Sequence, residues 1–413
     1  MVTDRRLEGR WKRRIPLPVA VAVSLIVGLL GAALVASPAR AASLVEVFNF
    51  GSNPGNLRMF KYIPDSLPAN APLVVPLHGC FQTASVYDDE SGWVKMAETY
   101  EFALMFPQQK DANDPGRSCF NWFLAGDNSR GQGEAASIIS MVDNIKANHS
   151  INAARVFVTG VSGGGFMTSN MIAAYPDVFA GGGVVAGGPA KCANASWEAF
   201  MCANPGVNKT PQQWGDIVRS GFPSWSGPWP KVSIWNGTAD TAVNIQNLTE
   251  LVEQWTNVHG TDQTPDLQET VQGYPRKVYD NAAGEPVVEA WPLTGQPHGQ
   301  PLDPGPGEAQ CGVAGGAGMV DMNICAAYHM VFFFGLDGSG GPGDPPPGEE
   351  SFSSGSEDGY VKANSDGSGV EVGTNKTTLG LGIGRGIDGK HNRTVLSFNT
   401  SAIPDGATIT RAY

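Results

Sequence analysis

Positive charge is scarce in this sequence. Of 413 residues only 27 are Lys or Arg, against 39 Asp or Glu, and seven of the 27 stand within the first 41 residues together with two of the acids. The remainder carries 20 basic and 37 acidic residues, a formal charge of −17. Such a surface repels phosphate backbones and anionic lipid, which excludes nucleic acid as a partner and leaves neutral polymers and small esters compatible. Histidine is sparse as well, six in all, and the six cysteines (Cys80, Cys119, Cys192, Cys202, Cys311, Cys325) follow no zinc-site spacing. Neither a metal nor a cofactor is expected.

The first 41 residues read as a targeting segment. Arg5, Arg6, Arg10, Lys12, Arg13 and Arg14 form a basic head, the apolar run Val19–Ala36 follows, and Ala39-Arg40-Ala41 supplies a small-x-small cleavage signal. Residues 1–41 are therefore expected to be a signal peptide. The competing reading is an uncleaved anchor helix, since the run is longer than an ordinary signal core. Arg5-Arg6 leaves the choice between general and twin-arginine export open. With the segment removed, no stable membrane association is expected. An exported chain with an even cysteine count points to disulfides. Fifteen pairings are possible. Sequence proximity favours Cys192–Cys202 and Cys311–Cys325, which leaves Cys80–Cys119.

A hydrophobic content of 41% suffices for a sizeable core, while 53 glycines and 30 prolines predict loop-rich connections. Residues 42–337 alternate short apolar runs (45–50, 59–63, 73–77, 103–106, 156–159, 183–185, 232–235, 287–291) with amphipathic stretches (94–100, 135–147, 164–174, 246–258, 323–334). That order predicts an α/β fold with a mostly parallel sheet and helices on both faces. Residues 338–350, rich in Gly and Pro, read as a linker. Residues 351–413 have short alternating runs in a Gly/Ser/Thr/Asn background and are expected to be part of a β-sandwich, one that stops in mid-strand.

The strongest chemical signal is Gly160-Val161-Ser162-Gly163-Gly164, preceded by an apolar strand and followed by a helix. A nucleophile elbow needs that context. The serine sits on a strained turn, and the glycines let strand and helix approach. The alternative is a plain glycine turn. Chain order then requires an acid and, after it, a histidine. Four histidines follow Ser162. His259 ends a helix too close behind any suitable acid, His329 lies in an apolar segment as a packed core residue, and His391 falls in the β module. His298, on a loop after the last core strand, is left as the base. Asp240 follows the strand 232–235 directly and is the expected acid, with Asp262, Asp266 and Asp280 as weaker rivals and a self-capping turn as the bland alternative. The oxyanion hole is expected from the N–H groups of Cys80, in Leu77-His78-Gly79-Cys80, and Gly163. His78 shapes this loop. Trp122 and Phe123 either line a substrate pocket or belong to the core. Glu134, in the first turn of a helix, reads as an acid favoured by the helix dipole.

The segments Leu77-His-Gly-Cys80-Phe-Gln-Thr, Cys119-Phe-Asn-Trp-Phe123, Arg130-Gly-Gln-Gly-Glu-Ala-Ala-Ser137, Gly160-Val-Ser-Gly-Gly-Gly165, Trp235-Asn-Gly-Thr-Ala-Asp240 and Thr294-Gly-Gln-Pro-His298 together resemble the polyhydroxybutyrate (PHB) depolymerase family of esterases. They are also similar to the acetylxylan and feruloyl esterases of the first carbohydrate esterase family. The resemblance implies an α/β-hydrolase fold over residues 44–336, Ser162, Asp240 and His298 as nucleophile, acid and base, and Cys80 and Gly163 as oxyanion donors. Gly163 replaces the family's usual alanine, and Pro297 stands where glycine is common. The implied activity is hydrolysis of carboxylic esters through an acyl-enzyme by a secreted monomer. The appended β module and the stretch 232–275 favour acetyl or feruloyl esters of plant polysaccharide. A polyester substrate is the alternative, and an inactive secreted carbohydrate-binding protein is the rival from another class.

Overall fold

The computed structural model describes residues 42–338 in full, together with the backbone of four short strands beyond them. Twelve strands and eight helices make up the first part. Ten strands form one sheet in the order β1-β2-β4-β3-β5-β6-β7-β10-β9-β8. They are β1 (Val45–Val47), β2 (Arg58–Tyr62), β3 (Ala71–Leu77), β4 (Ala103–Gln108), β5 (Ile151–Val161), β6 (Gly181–Val185), β7 (Lys231–Gly237), β8 (Leu267–Val271), β9 (Tyr274–Asp280) and β10 (Pro286–Leu293). From β4 to β10 across the centre every pairing is parallel. The outer pairs are antiparallel.

The central strands are apolar without alternation because both faces are covered. All seven residues of β3, Ala-Pro-Leu-Val-Val-Pro-Leu, are buried. The helices α1 (Ala84–Glu90), α2 (Trp93–Tyr100), α3 (Gly133–Asn148), α4 (Gly163–Ala174), α5 (Ser196–Ala203), α6 (Pro211–Gly221), α7 (Gln246–His259) and α8 (Ala326–Phe333) connect or flank these strands. α4 and α8 are buried on all sides, which is why neither shows an amphipathic pattern. None of the described helices is long and apolar enough to cross a membrane.

The α/β sheet expected from the alternation of elements is present, parallel at its centre as expected and mixed as a whole because the outer pairs are antiparallel. Its edge was not foreseen. The hairpin β8–β9 is half exposed, with a Leu-Gln-Glu-Thr-Val strand that alternates intermediate and exposed positions. Its turn, Gln272-Gly273, takes positive φ at both residues (48° and 84°), the geometry that suits the twist of a hairpin. Charged residues on an edge strand hide it from a search for apolar runs. α1, α5 and α6 were missed as well, although Thr210 and Gln213 form a full capping box ahead of Pro211.

Three disulfides join Cys80 to Cys119, Cys192 to Cys202 and Cys311 to Cys325. Two further short strands, β11 (Gln300–Leu302) and β12 (Met319–Asp321), pair in parallel. Near the C-terminus β13 (Gly359–Ala363), β14 (Glu371–Thr374), β15 (Gly384–Arg385) and β16 (His391–Val395) form an antiparallel sheet of order β14-β13-β16-β15. The expected signal peptide, and the expected linker apart from Gly338, lie outside the described residues.

Because β3, β5, β6, β7 and β10 run in one direction, the loops after Leu77, Val161, Val185, Gly237 and Leu293 gather at the carboxyl end of the sheet. Open α/β sheets carry their sites at this end.

Candidate active site

Ser162 stands between β5 and α4 with φ 57° and ψ −120°, a conformation that costs a non-glycine residue roughly 1–3 kcal/mol. Strand and helix are pressed together to hold it. A β-carbon on Gly160 would meet the Gly164 carbonyl carbon at 2.6 Å, and one on Gly164 would meet the Leu77 oxygen at 2.2 Å. Only glycine fits either place. The Ser162 N–H donates to Val185 O at 2.9 Å, tying the turn to the end of β6.

The other two expected residues meet it. His298 Nε2 lies 2.9 Å from Ser162 Oγ, and His298 Nδ1 lies 2.7 Å from Asp240 Oδ2. A carboxylate only accepts, so Nδ1 carries the ring proton and Nε2 presents its lone pair to the serine hydroxyl. The second oxygen, Asp240 Oδ1, accepts the N–H groups of Ala242 and Val243, both at 2.8 Å. The Asp240 side chain has no exposed surface, whereas that of His298 is 27% exposed. Asp240 is enclosed, and His298 opens to solvent.

The loops that carry Asp240 and His298 are latched together. Thr238 N donates to Leu293 O, Ala239 N to Gln296 O, and Gly295 N to Thr238 Oγ1. Gln296 is buried and donates through Nε2 to Gly299 O at 2.6 Å. Pro297 restricts the residue before it, and here Gln296 is the anchored residue of the loop. Asn236 holds the acid loop from below, its amide nitrogen reaching Val243 O and Asn244 O at 3.3 Å each.

The rival histidines sit elsewhere. Burial pushes His259 down to about 4 and His329 to about 3, so both are neutral. His259 Nε2 donates to Pro230 O, and His329 packs among Trp235, Trp291 and Tyr328. His78 is neutral for the same reason, held down to about 4.

Beside Ser162 the Cys80–Cys119 bridge crosses the first turn of α4. The Cys80 N–H has no acceptor among the described residues, and the Gly163 N–H belongs to the helix turn whose donors lack intrahelical partners. Trp122 and Phe123 are both buried, at 6% and 7% exposure. Trp122 stacks on Phe166 of α4 at 4.0 Å between ring centroids and lies 3.8 Å from the place of a Gly163 β-carbon. They form a wall beneath the elbow.

Glu134 is the first-turn acid of α3, as read from the sequence, but the helix dipole is not its whole setting. It is wholly buried, and its carboxyl accepts from Asn121 N at 2.8 Å and from the Gln109 side-chain amide. Nothing in a first-turn glutamate marks such burial; the glycine-rich segment before it was the available signal. Among the described residues no cluster of His, Cys, Asp or Glu is arranged to hold a metal ion.

A family model described as "Esterase PHB depolymerase" matches residues 59–266. Over 296 residues the chain is 55% identical to poly(3-hydroxyalkanoate) depolymerase C of Paucimonas lemoignei, a match spanning 72% of this chain and 71% of that protein. It is 37% identical over 270 residues to the acetylxylan esterase of Coprinopsis cinerea, spanning 63% of this chain and 70% of that one. Among solved structures, the acetyl xylan esterase from Aspergillus awamori aligns with a TM-score of 0.57 at 29% identity, over 62% of this chain and 94% of that chain.

Proposed function

This chain belongs to the esterase PHB depolymerase family and is a carboxylic ester hydrolase, and from that premise we propose that Ser162, His298 and Asp240 carry the reaction as nucleophile, base and orienting acid. The observation that carries this reading is the unbroken hydrogen-bond line Ser162–His298–Asp240 at 2.9 and 2.7 Å, with the serine on a strained elbow.

His298 Nε2 takes the Ser162 proton as Oγ attacks the ester carbonyl. The tetrahedral oxyanion is met by the N–H groups of Cys80 and Gly163, each worth roughly 3 kcal/mol in the transition state. The imidazolium, stabilised by Asp240, returns the proton to the departing alkoxide. Water then enters and attacks the acyl carbonyl while giving a proton to His298, which passes it to Ser162 Oγ as the acyl–oxygen bond breaks and the free acid leaves. Reduction of activity on p-nitrophenyl acetate by several orders of magnitude in Ser162→Ala, with the fold retained, is the expected result. A Ser162→Ala enzyme as active as wild type would end the proposal.

For the natural substrate, the 55% identity to a poly(3-hydroxyalkanoate) depolymerase against 37% to an acetylxylan esterase supports a hydroxyalkanoate polyester. The second reading, the acetyl or feruloyl polysaccharide ester favoured by sequence motifs, draws support from the Aspergillus awamori enzyme, 94% of which is covered. Hydrolysis of PHB, acetylated xylan and methyl ferulate, measured side by side, separates the two. Three disulfides and the leader-like residues 1–41 support export. The proposed mature enzyme is a secreted monomer with its catalytic unit in residues 42–337, a tether in 338–350 and a β module in 351–413.

A further inference from the structure

Both strands of chain joined by the Cys80–Cys119 bridge are reached by one buried polar network. Gln109, directly after β4, is its centre. Its backbone N–H donates to His78 Nε2 at 3.1 Å. His78 Nδ1 must then carry the ring proton, and it donates to Gly79 O at 2.7 Å. That carbonyl belongs to the peptide unit whose nitrogen is Cys80 N. The bond therefore fixes the plane in which the Cys80 N–H points. On the other side, the Gln109 side-chain amide donates to Cys119 O at 2.9 Å and to Glu134. The remaining oxygen of Glu134 accepts from Asn121 N at 2.8 Å, directly before Trp122. The Gln109 side-chain oxygen is occupied by Lys110 N and Asn113 Nδ2, so the amide cannot turn over without losing both bonds.

We propose that Glu134 is a positioning residue for the oxyanion hole, acting through Gln109 and His78 on the Gly79–Cys80 peptide and through Asn121 on the Trp122 wall beside Gly163. The proposal rests on the reading of Ser162 as nucleophile and of Cys80 and Gly163 as donors. The arrangement is costly. Glu134, Gln109 and His78 are 0%, 2% and 1% exposed, and a carboxyl with no access to water is justified energetically only by the donors it satisfies. A helix-dipole role alone does not require burial, since an exposed first-turn acid gains the same interaction. The partners of Glu134 lie 13 and 25 residues away in the chain, and both border the disulfide.

A misplaced oxyanion donor raises the barrier without weakening ground-state binding. At pH 9, where the Glu134 carboxyl is ionised, Glu134→Gln puts an NH2 group opposite a donor, either the Gln109 amide or Asn121 N–H, and relaxes the network. The measurements are kcat and KM on p-nitrophenyl acetate, and the dissociation constant of phenylboronic acid, which forms a tetrahedral anionic adduct with an active serine. Expected in Glu134→Gln is a fall in kcat of about 10- to 100-fold with KM within about threefold, and a matching loss of boronate affinity. Unchanged kcat overturns the proposal. So does a lowered kcat with unchanged boronate affinity, which would place the defect outside the oxyanion hole. If Glu134→Gln does not fold, Gln109→Met is read by the same two measurements, and failure of both variants to fold makes the network structural and ends the idea. A wild-type enzyme that binds no boronate would instead remove the nucleophile reading beneath it.

Discussion

A β-carbon on Gly163 would stand 3.0 Å from the sulfur of Cys80. The side chain of one proposed oxyanion donor thus limits the residue that can supply the other. The Cys80–Cys119 bridge crosses here, and the alanine usual at this position in the family would force the disulfide outward by a few tenths of an ångström.

Gly163→Ala is therefore expected to reduce kcat by about 3- to 10-fold with little change in KM, because a small displacement of a donor acts on the transition state alone. Steady-state kinetics on a soluble ester reads it. Unaltered kcat would mean that the loop yields freely.

The histidine assignment has a direct comparison. His298→Ala is expected to lower ester hydrolysis by several orders of magnitude, and Asp240→Asn by a large factor, since these groups work as a unit. His259→Ala, which removes a neutral ring bonded to Pro230 O, should cost stability and leave kcat near wild type. A dead His259→Ala beside an active His298→Ala would reverse the assignment.

The Cys80–Cys119 bridge closes a loop of 39 residues. Replacing both cysteines by serine should lower stability by about 4 kcal/mol through the freed unfolded chain, and lower kcat by loosening the Cys80 N–H. Denaturant unfolding and kinetics measure the two effects. Peptide mapping without reduction checks the premise, and a free thiol at Cys80 would refute it.

Burial raises Glu134 from an ordinary 4.5 to about 8. Below pH 4.5 the carboxyl is neutral whether the chain is folded or not. Above it the unfolded chain releases the proton and the folded one keeps it, so stability from this group falls as pH rises toward 8 and then levels. Relative to Glu134→Gln, which does not titrate, wild type should lose melting temperature between pH 5 and 8. A constant difference across that range would contradict the raised value.

A protein ending at residue 338 should fold and hydrolyse soluble esters with the kcat/KM of the full chain, because the described unit buries its own core. Any advantage of the full chain should be confined to insoluble polymer, where a bound module raises effective concentration. Loss of activity on soluble ester after truncation would show that residues 339–413 support the catalytic unit.

The elbow was legible because its requirements are local: an apolar strand, a serine flanked by glycines, and a helix all fall within about twenty consecutive residues. His298 and Asp240 were legible by chain order and by their places after strands, even though 136 residues separate His298 from Ser162. Glu134 was not, since its burial depends on Gln109 and Asn121, which arrive from other elements. Trp122 and Phe123 carried the same pattern whether lining a pocket or filling a core, and only the fold shows Trp122 stacked on Phe166 with Phe123 against it edge-on. The β8–β9 hairpin escaped notice because edge strands need no apolar run.

The sequence by itself determined the α/β-hydrolase class, the strained turn at Ser162 and the places of Asp240 and His298 after their strands, because local sterics and strand direction impose them. Tertiary structure alone decided how close His298 stands to Ser162, how near Gly163 lies to the Cys80 sulfur, and how Glu134 meets Gln109 and Asn121. Those outcomes turn on separations of a few ångströms between segments distant in the chain. Such separations follow from how the whole core packs, and no short window of residues encodes them.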